Sequence, residues 1–281
     1  MQSRIITNEL IENFRLYLYE EEKSDNTIEK YMRDIRHFCE WLKGCEFDKS
    51  IVLEYKRELI ENYAPASVNS MLSSLNALFI YLNWYDMKVK TLKIQKQIFA
   101  SKDKELTKAE YERLLTAAKS KNNEQLYYLM QTIASTGIRI SELSAISVEA
   151  VKTGEVTINC KGKLRQIFLP KALCKMLKEY IKGRNIQSGS VFVTRTGKPL
   201  DRCRVWKLLK GLCESANVSK DKVFPHNFRH LFARTFYSLQ KDIVRLADIL
   251  GHSSVETTRI YTMESGIEHR KQLQKLGLLR C

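Results

Sequence analysis

Between Pro65 and Leu82 the apolar residues Val68, Met71, Leu72, Leu75, Leu78, Phe79 and Leu82 recur at three- and four-residue steps. That spacing lines one face of an α-helix and fits no strand. An apolar stripe of this length has to be covered by other elements, and the preceding chain supplies them. Residues 8–22 and 25–43 read as helices: Asp25-Asn26-Thr27 offers N-caps, and Ile28, Tyr31, Ile35, Phe38 and Leu42 repeat the same spacing. Residues 51–62 read as a third helix, so residues 1–87 are expected to form a four-helix unit. The face of the fourth helix away from the stripe carries Ser67, Asn69, Ser70, Ser73 and Ser74. Small polar side chains of this kind suit close approach to a nucleic-acid backbone, or simply an ordinary solvated surface.

From Met87 to Asp103 the periodicity stops, and Lys88, Lys90, Lys93, Lys96 and Lys102 follow one another. Residues 88–103 therefore read as a basic tether. The second domain, 104–281, opens on a capping box, Thr107-Lys108-Ala109-Glu110. A helix over about 124–135 is expected to end at Thr136-Gly137, with Arg139 starting the next helix and Glu142 three residues on. Val156–Cys160 and Gln166–Pro170 read as strands joined by a turn over Lys161–Arg165. Residues 189–193 read as a third strand, Thr196–Pro199 as a turn, and Trp206 and Leu209 as packing residues of a later helix. The expected fold class is mainly α with a small β-sheet, in two domains: a helical unit followed by an α+β unit.

Charge is distributed unevenly between these domains. Residues 1–100 hold 14 Lys and Arg against 15 Asp and Glu, whereas the rest of the chain holds 33 against 17. A basic surplus confined to one half points to a polyanionic partner there. The seven cysteines form no Cys-x-x-Cys pair. Neither a disulfide framework nor a zinc ribbon is expected, and most are read as small buried residues of a reducing compartment. Arg4, Glu9 and Glu12 interrupt the N-terminus, and no run approaches about 18 apolar residues, the length that spans a bilayer. A cytoplasmic, nucleoid-associated bacterial protein without a membrane partner is the expectation, and no metal or other cofactor is called for.

The chemistry concentrates near the C-terminus, in Pro225-His226-Asn227-Phe228-Arg229-His230, Leu250-Gly251-His252 and Tyr261. Pro225 suits the first position of a helix, where a missing N–H costs nothing. His226 and Arg229 then share a face. Gly251 closes an apolar run as a helix C′ residue does, presenting His252 at the helix end. Cationic and imidazole groups that converge need an anion between them. Arginine matches phosphate geometry and tyrosine is a competent nucleophile, so the set fits phosphoryl transfer through a phosphotyrosine.

These residues resemble the C-terminal signature of the tyrosine recombinase (integrase) family, and Thr136-Gly137-Ile138-Arg139-Ile140-Ser141-Glu142-Leu143 resembles its upstream box. The three motifs stand in family order across roughly residues 130–265. The resemblance implies that Arg139 and Arg229 bind the scissile phosphate, Tyr261 attacks it, His226 assists proton transfer, and His252 hydrogen-bonds the phosphate. Glu142 and His230 would support them. The family pattern Gly-Lys-Gly-x-Lys-x-Arg, whose first Lys is catalytic, implies Lys161 for that role; here Cys160 replaces the leading glycine and the turn is one residue shorter, which leaves Lys163 as the alternative. The resemblance further implies that the two domains clamp duplex DNA. Charge and helix spacing offer Lys30, Arg33, Arg36 and Lys43 as its contacts, with the small polar Ser67, Asn69 and Ser73 and the hairpin cations Lys163 and Arg165. The resemblance also implies a tetramer on two DNA sites, linked by a helix near 265–276 exchanged between protomers. Accessory DNA-bending or directionality factors would join it in mobile-element integration or excision, or in Xer-like resolution. The rival readings are a type IB topoisomerase and a catalytically silent DNA-binding relative.

Overall fold

A computed structural model describes residues 4–94, 104–160 and 163–261, with the main chain alone at Cys160 and Lys163. The chain divides into two compact units, Met1–Lys96 and Gln97–Cys281.

The first unit contains four helices, α1 (Asn8–Glu20), α2 (Asp25–Leu42), α3 (Lys49–Asn62) and α4 (Pro65–Tyr81). Pro65 opens α4 as its first residue, and Asp48 caps α3 by accepting from the N–H groups of Ser50 (2.8 Å) and Ile51 (3.2 Å). The cap of α2 falls on Ser24, one residue before the stretch expected to provide it, and Asp25 lies in the first turn. Val68, Leu72, Leu75, Leu78 and Phe79 of α4 are buried, as their spacing demands. Phe38 packs on Tyr55 and Phe47, with ring centroids 4.8 and 5.4 Å apart, and Phe79 and Trp84 extend this aromatic core. Each such ring contributes about 1.5–3 kcal/mol by leaving water.

Two of the DNA-contact candidates in this unit instead hold its fold. Lys30 donates to the Ser70 carbonyl (2.5 Å), to the Ser74 hydroxyl (2.8 Å) and to the buried Asp34 carboxylate (2.8 Å). Asn69 uses both ends of its amide on the main chain of Leu92, donating at 2.9 Å and accepting at 2.6 Å. Arg33, Arg36, Lys43, Ser67 and Ser73 lie on the surface.

The second unit is built around α6 (Glu124–Thr136), which packs against α5 (Lys108–Ser120), α8 (Lys171–Gly183) and α10 (Pro225–Gln240). The expected capping box forms at the head of α5, between Thr107 and Glu110. Between α6 and α8 lie α7 (Val148–Thr153) and an antiparallel hairpin of β1 (Glu155–Cys160) and β2 (Lys163–Phe168), in register from Glu155 opposite Phe168 to Cys160 opposite Lys163. Val156, Ile158, Ile167 and Leu169 point inward, and Thr157, Asn159, Leu164, Gln166 and Phe168 outward, the period-two alternation of a half-covered hairpin. The strands run further toward each other than expected, so Lys163 and Arg165 belong to β2. After α8 come α9 (Arg202–Lys210), α11 (Ile243–Leu250) and α12 (Val255–Thr258).

The expected third strand is absent. Residues 189–193 make single bridges, Ser190 to Ser147 and Val193 to Pro199, and Gly189 at φ +74° breaks the extended run, although Val191 and Phe192 are buried. Arg139 does not begin an α-helix but caps a 3-10 turn, Ile140–Ala145. Leu209 is core as expected, whereas Trp206 is 48% exposed with the Lys210 ammonium 5.0 Å from its ring centre. Among the described cysteines Cys174 and Cys213 are buried, but Cys45 and Cys203 are exposed and Cys39 is intermediate. Among the described residues no helix is long and apolar enough to cross a membrane.

Candidate active site

Two helix ends and one helix start assemble the site. Helix α6 stops at Gly137 in the left-handed region (φ +65°), where a Cβ would come within 2.5 Å of the Phe232 ring on α10. Glycine therefore serves both the turn and the close packing. Helix α10 starts at Pro225 and carries His226, Arg229 and His230 in its first two turns. Helix α11 stops at Gly251 (φ +62°), whose N–H donates to Asp248 O while that of His252 donates to Ala247 O, both at 3.0 Å. The final carbonyls of such a helix have no partner within it and carry the negative end of its dipole.

Those carbonyls collect arginines. Leu250 O accepts from Arg229 Nη2 (2.7 Å) and from Arg165 Nη1, and Gly251 O accepts from Arg139 Nη2 (3.1 Å). Arg229, only 2% exposed, also donates to Gly137 O at 2.5 Å. Burial, with Arg139 beside it, pushes the Arg229 guanidinium down to about 10.

The Arg139–Glu142 pair is not the exposed ion pair that an i, i+3 spacing ordinarily makes. The Glu142 carboxylate is 4% exposed and accepts from the Arg139 N–H (2.9 Å), Arg139 Nη1 (3.0 Å) and Arg165 Nη2 (2.6 Å). Burial raises its pKa, but the Arg139 N–H and the cations of Arg165 and Arg139 outweigh it and hold the group below its ordinary value. Arg165 was expected in a solvated turn facing DNA. It sits instead in β2 opposite Ile158, follows the inward row of Ile167 and Leu169, and its side chain is 11% exposed against Glu142.

His252 is fixed at both nitrogens. Nε2 lies 3.1 Å from Arg229 Nη2, which can only donate, and Nδ1 lies 2.8 Å from the hydroxyl of the buried Thr258. Nε2 is thus the acceptor, and Nδ1 carries the proton and donates to Thr258. Burial, then Arg229 and Arg139, push the His252 imidazole down to about 4, so it is neutral at pH 7. Burial, then His226, likewise push His230 to about 4, and burial with Arg229 lowers His226. Thr258 is a partner that the sequence reading missed. Its position six residues after His252 leaves no signal without knowledge of the turn between them.

Tyr261, 3% exposed, closes the group. Its ring meets His230 edge-on at 4.7 Å and lies nearly parallel to His252 at 6.0 Å, while His226 meets His230 at 4.5 Å. The phenol also favours the charged guanidinium of Arg229, opposing the effect of burial. The structure thus gathers Arg139, Glu142, His226, Arg229, His230, His252 and Tyr261 into one site. Lys161 lies outside the described residues, as does the segment 265–276, and no side chain is described for Lys163. Three guanidiniums and one carboxylate, with neutral imidazoles, leave positive charge in excess around a buried phenol. Such a site is made for an anion that a phenol can attack.

Two family models match the chain: phage integrase family over residues 104–266, and phage integrase, N-terminal SAM-like domain, over residues 11–85. The tyrosine recombinase XerA of Thermococcus kodakarensis is 31% identical, covering 97% of this chain and 96% of that protein. The tyrosine recombinase XerD of Vibrio cholerae is 27% identical, covering 91% of each. A crystal structure of XerA recombinase matches with TM-score 0.54 at 24% identity, covering 98% of this chain and 100% of that one. A lambda integrase tetramer bound to a Holliday junction matches with TM-score 0.75 at 17% identity, covering 92% and 78%.

Proposed function

The chain belongs to the phage integrase family of tyrosine recombinases, and from that premise we propose that it cleaves and rejoins duplex DNA at specific sites, exchanging strands through a Holliday junction. The observation that carries the reading is Arg229. Almost fully buried, it donates to His252, whose ring lies nearly parallel to that of Tyr261, and to the turn that also binds Arg139.

In the proposed reaction the Tyr261 oxygen bonds to phosphorus as the bond to the 5′-oxygen breaks, leaving a 3′-phosphotyrosine and a free 5′-hydroxyl. The phenolic proton departs with the help of His226, and the leaving oxygen takes a proton from Lys161, or from Lys163. A phosphodiester carries one negative charge and its five-coordinate transition state approaches two. The excess of cation around Arg139 and Arg229 therefore favours the transition state over the bound ground state. An arriving phosphate raises the proton affinity of His252, and the Thr258 hydroxyl, able to accept as well as donate, lets Nε2 take a proton toward that phosphate. Guanidiniums supply the charge that a divalent ion would otherwise bring, and each new phosphodiester replaces one of similar energy. The reading thus needs neither metal nor nucleotide hydrolysis.

The finer expectations are carried as part of the same proposal. The N-terminal helical unit, the tether over 88–103 and the catalytic unit from 104 clamp the duplex, with contacts from Arg33, Arg36, Lys43, Ser67 and Ser73. Four protomers act on two sites in the cytoplasm, linked through the chain after Tyr261, with accessory DNA-bending or directionality factors. The reading is tested with nicked duplexes carrying the DNA that flanks the gene. Wild type forms a denaturation-resistant adduct that peptide mass places on Tyr261, and Tyr261→Phe forms none. An adduct on another residue, or salt-sensitive binding with no adduct from wild type, overturns it.

A further inference from the structure

We propose that Arg165 is a positioning residue of the strand-transfer site, aligning Arg139 and the turn that carries His252 without touching the DNA itself. This rests on the function proposed above.

The assignment follows from what Arg165 joins. Its side chain leaves the inward face of β2 and divides between two anchors, Glu142 Oε2 at 2.6 Å through Nη2 and Leu250 O through Nη1. Glu142 is the group that fixes Arg139, through both its main-chain N–H and its guanidinium. Leu250 O is the carbonyl that also takes Arg229, one residue before the Gly251 carbonyl that takes Arg139. One planar fork thus ties the upstream box to the end of α11. The fit is close: a Cβ on Gly251 would stand 2.5 Å from Arg165 Cδ and 2.7 Å from its Nη1. Glycine at 251 hence admits the guanidinium as well as the left-handed turn. With only 11% of the side chain exposed and two sides of the fork committed, Arg165 is placed to hold other groups rather than to meet a phosphate. A lysine offers a single point charge where this arrangement needs two divergent N–H groups.

Single-turnover cleavage of a nicked duplex at saturating enzyme, together with the DNA dissociation constant, tests this. Arg165→Met should slow cleavage about 100-fold, the cost of a misplacement near 1 Å, while Kd stays within about threefold of wild type. Arg165→Lys should recover only part of the rate. The decisive measurement is the cycle with Glu142→Gln. If Arg165 works through Glu142, adding Arg165→Met to Glu142→Gln costs less than about threefold more. Fully multiplied losses mean that Arg165 does not act through Glu142 on Arg139, and they overturn the proposal. A 5′-bridging sulfur substrate, whose thiolate leaves without a proton, gives a second check. Equal slowing on oxygen and sulfur substrates is expected, and recovery on sulfur would assign Arg165 to leaving-group protonation instead. An unchanged rate in Arg165→Met also refutes it. Wild type measured alongside separates these outcomes from failure of the recombinase reading, in which wild type itself makes no adduct. A variant lost to misfolding is recognised by its thermal melt, and Arg165→Lys with its own Glu142→Gln cycle then decides.

Discussion

Among the described residues each unit buries one carboxylate against cations, and the two clusters have opposite consequences. In the first unit Asp34 accepts from Lys30 and from the buried Ser74 hydroxyl, and Lys30 completes its bonding on Ser70 O. Arg33 approaches Asp34 only at 3.5 Å, from a side chain three-quarters exposed. Charge and hydrogen bonds close on themselves, so the cluster joins α2 to α4 and asks for nothing else. In the second unit Glu142 faces Arg139 and Arg165, Arg229 stands close by, and main-chain carbonyls supply the remaining acceptors. Carbonyls satisfy hydrogen bonds but cancel no net charge. A buried polar cluster that balances is architecture; one that balances only when an anion arrives is a site.

The sharpest way to break this contrast is to remove the innermost cation. Arg229→Met should reduce covalent cleavage by about 10³-fold, the cost of losing a charged transition-state donor, while leaving a cooperative thermal transition. A loss of less than tenfold would put Arg229 with the balanced kind. Glu142→Gln should cut cleavage by about 10²-fold, because Arg139 loses its carboxylate, and the same adduct assay reads it. Asp34→Ala should do the converse. Cleavage changes little, and urea titration shows about 2 kcal/mol of lost stability from the ammonium left with only neutral partners. Gly251→Ala falls between them, with about 1–2 kcal/mol of backbone strain at φ +62° and roughly tenfold slower cleavage as Arg165 is displaced.

The smallest effect is on pH dependence. Burial, with the cations beside them, pushes His230 and His252 down to about 4 in the fold, below the ordinary 6.5 of the unfolded chain. Between those values the unfolded chain binds more protons, so stability declines as pH falls from about 6.5 toward 4 and is unaffected by these groups above that range. NMR of ring-labelled histidine should place both midpoints near 4 in the free protein and move that of His252 upward on DNA. A midpoint for free His252 near 6.5 would mean that the imidazole is neither buried nor set among cations as the comparison requires.

The balanced cluster and the open one were not equally legible in the sequence. The apolar period fixes α2 and α4, and with them the surroundings of Asp34, but it says nothing of Lys30 turning inward, because a lysine beside surface residues reads as solvated. Gly137, Pro225 and Gly251 mark helix ends by backbone chemistry alone and place His226, Arg229 and His252 beside them, whereas Arg139 reads from its spacing to Glu142 only as a surface ion pair and needs the family box to join the site. Tyr261 needed its register after His252. Arg165 was misread because Lys161 and Lys163 stand beside it and three cations look like a turn. The period-two row of Ile167 and Leu169, carried back one step, places Arg165 on the inward face. Asn69 could not be read at all, since its partner is the main chain of Leu92, and main chain leaves no mark in a sequence.

The turn at Leu250-Gly251 holds three guanidiniums by carbonyl oxygens, atoms that every amino acid possesses. Heredity therefore specifies this cradle very sparingly: a glycine at 251 and a helix that ends there. Leu250 lends the cradle its carbonyl while its own side chain packs into the core beside Ala233, Leu246 and Tyr261, so one residue serves packing with one end and charge with the other.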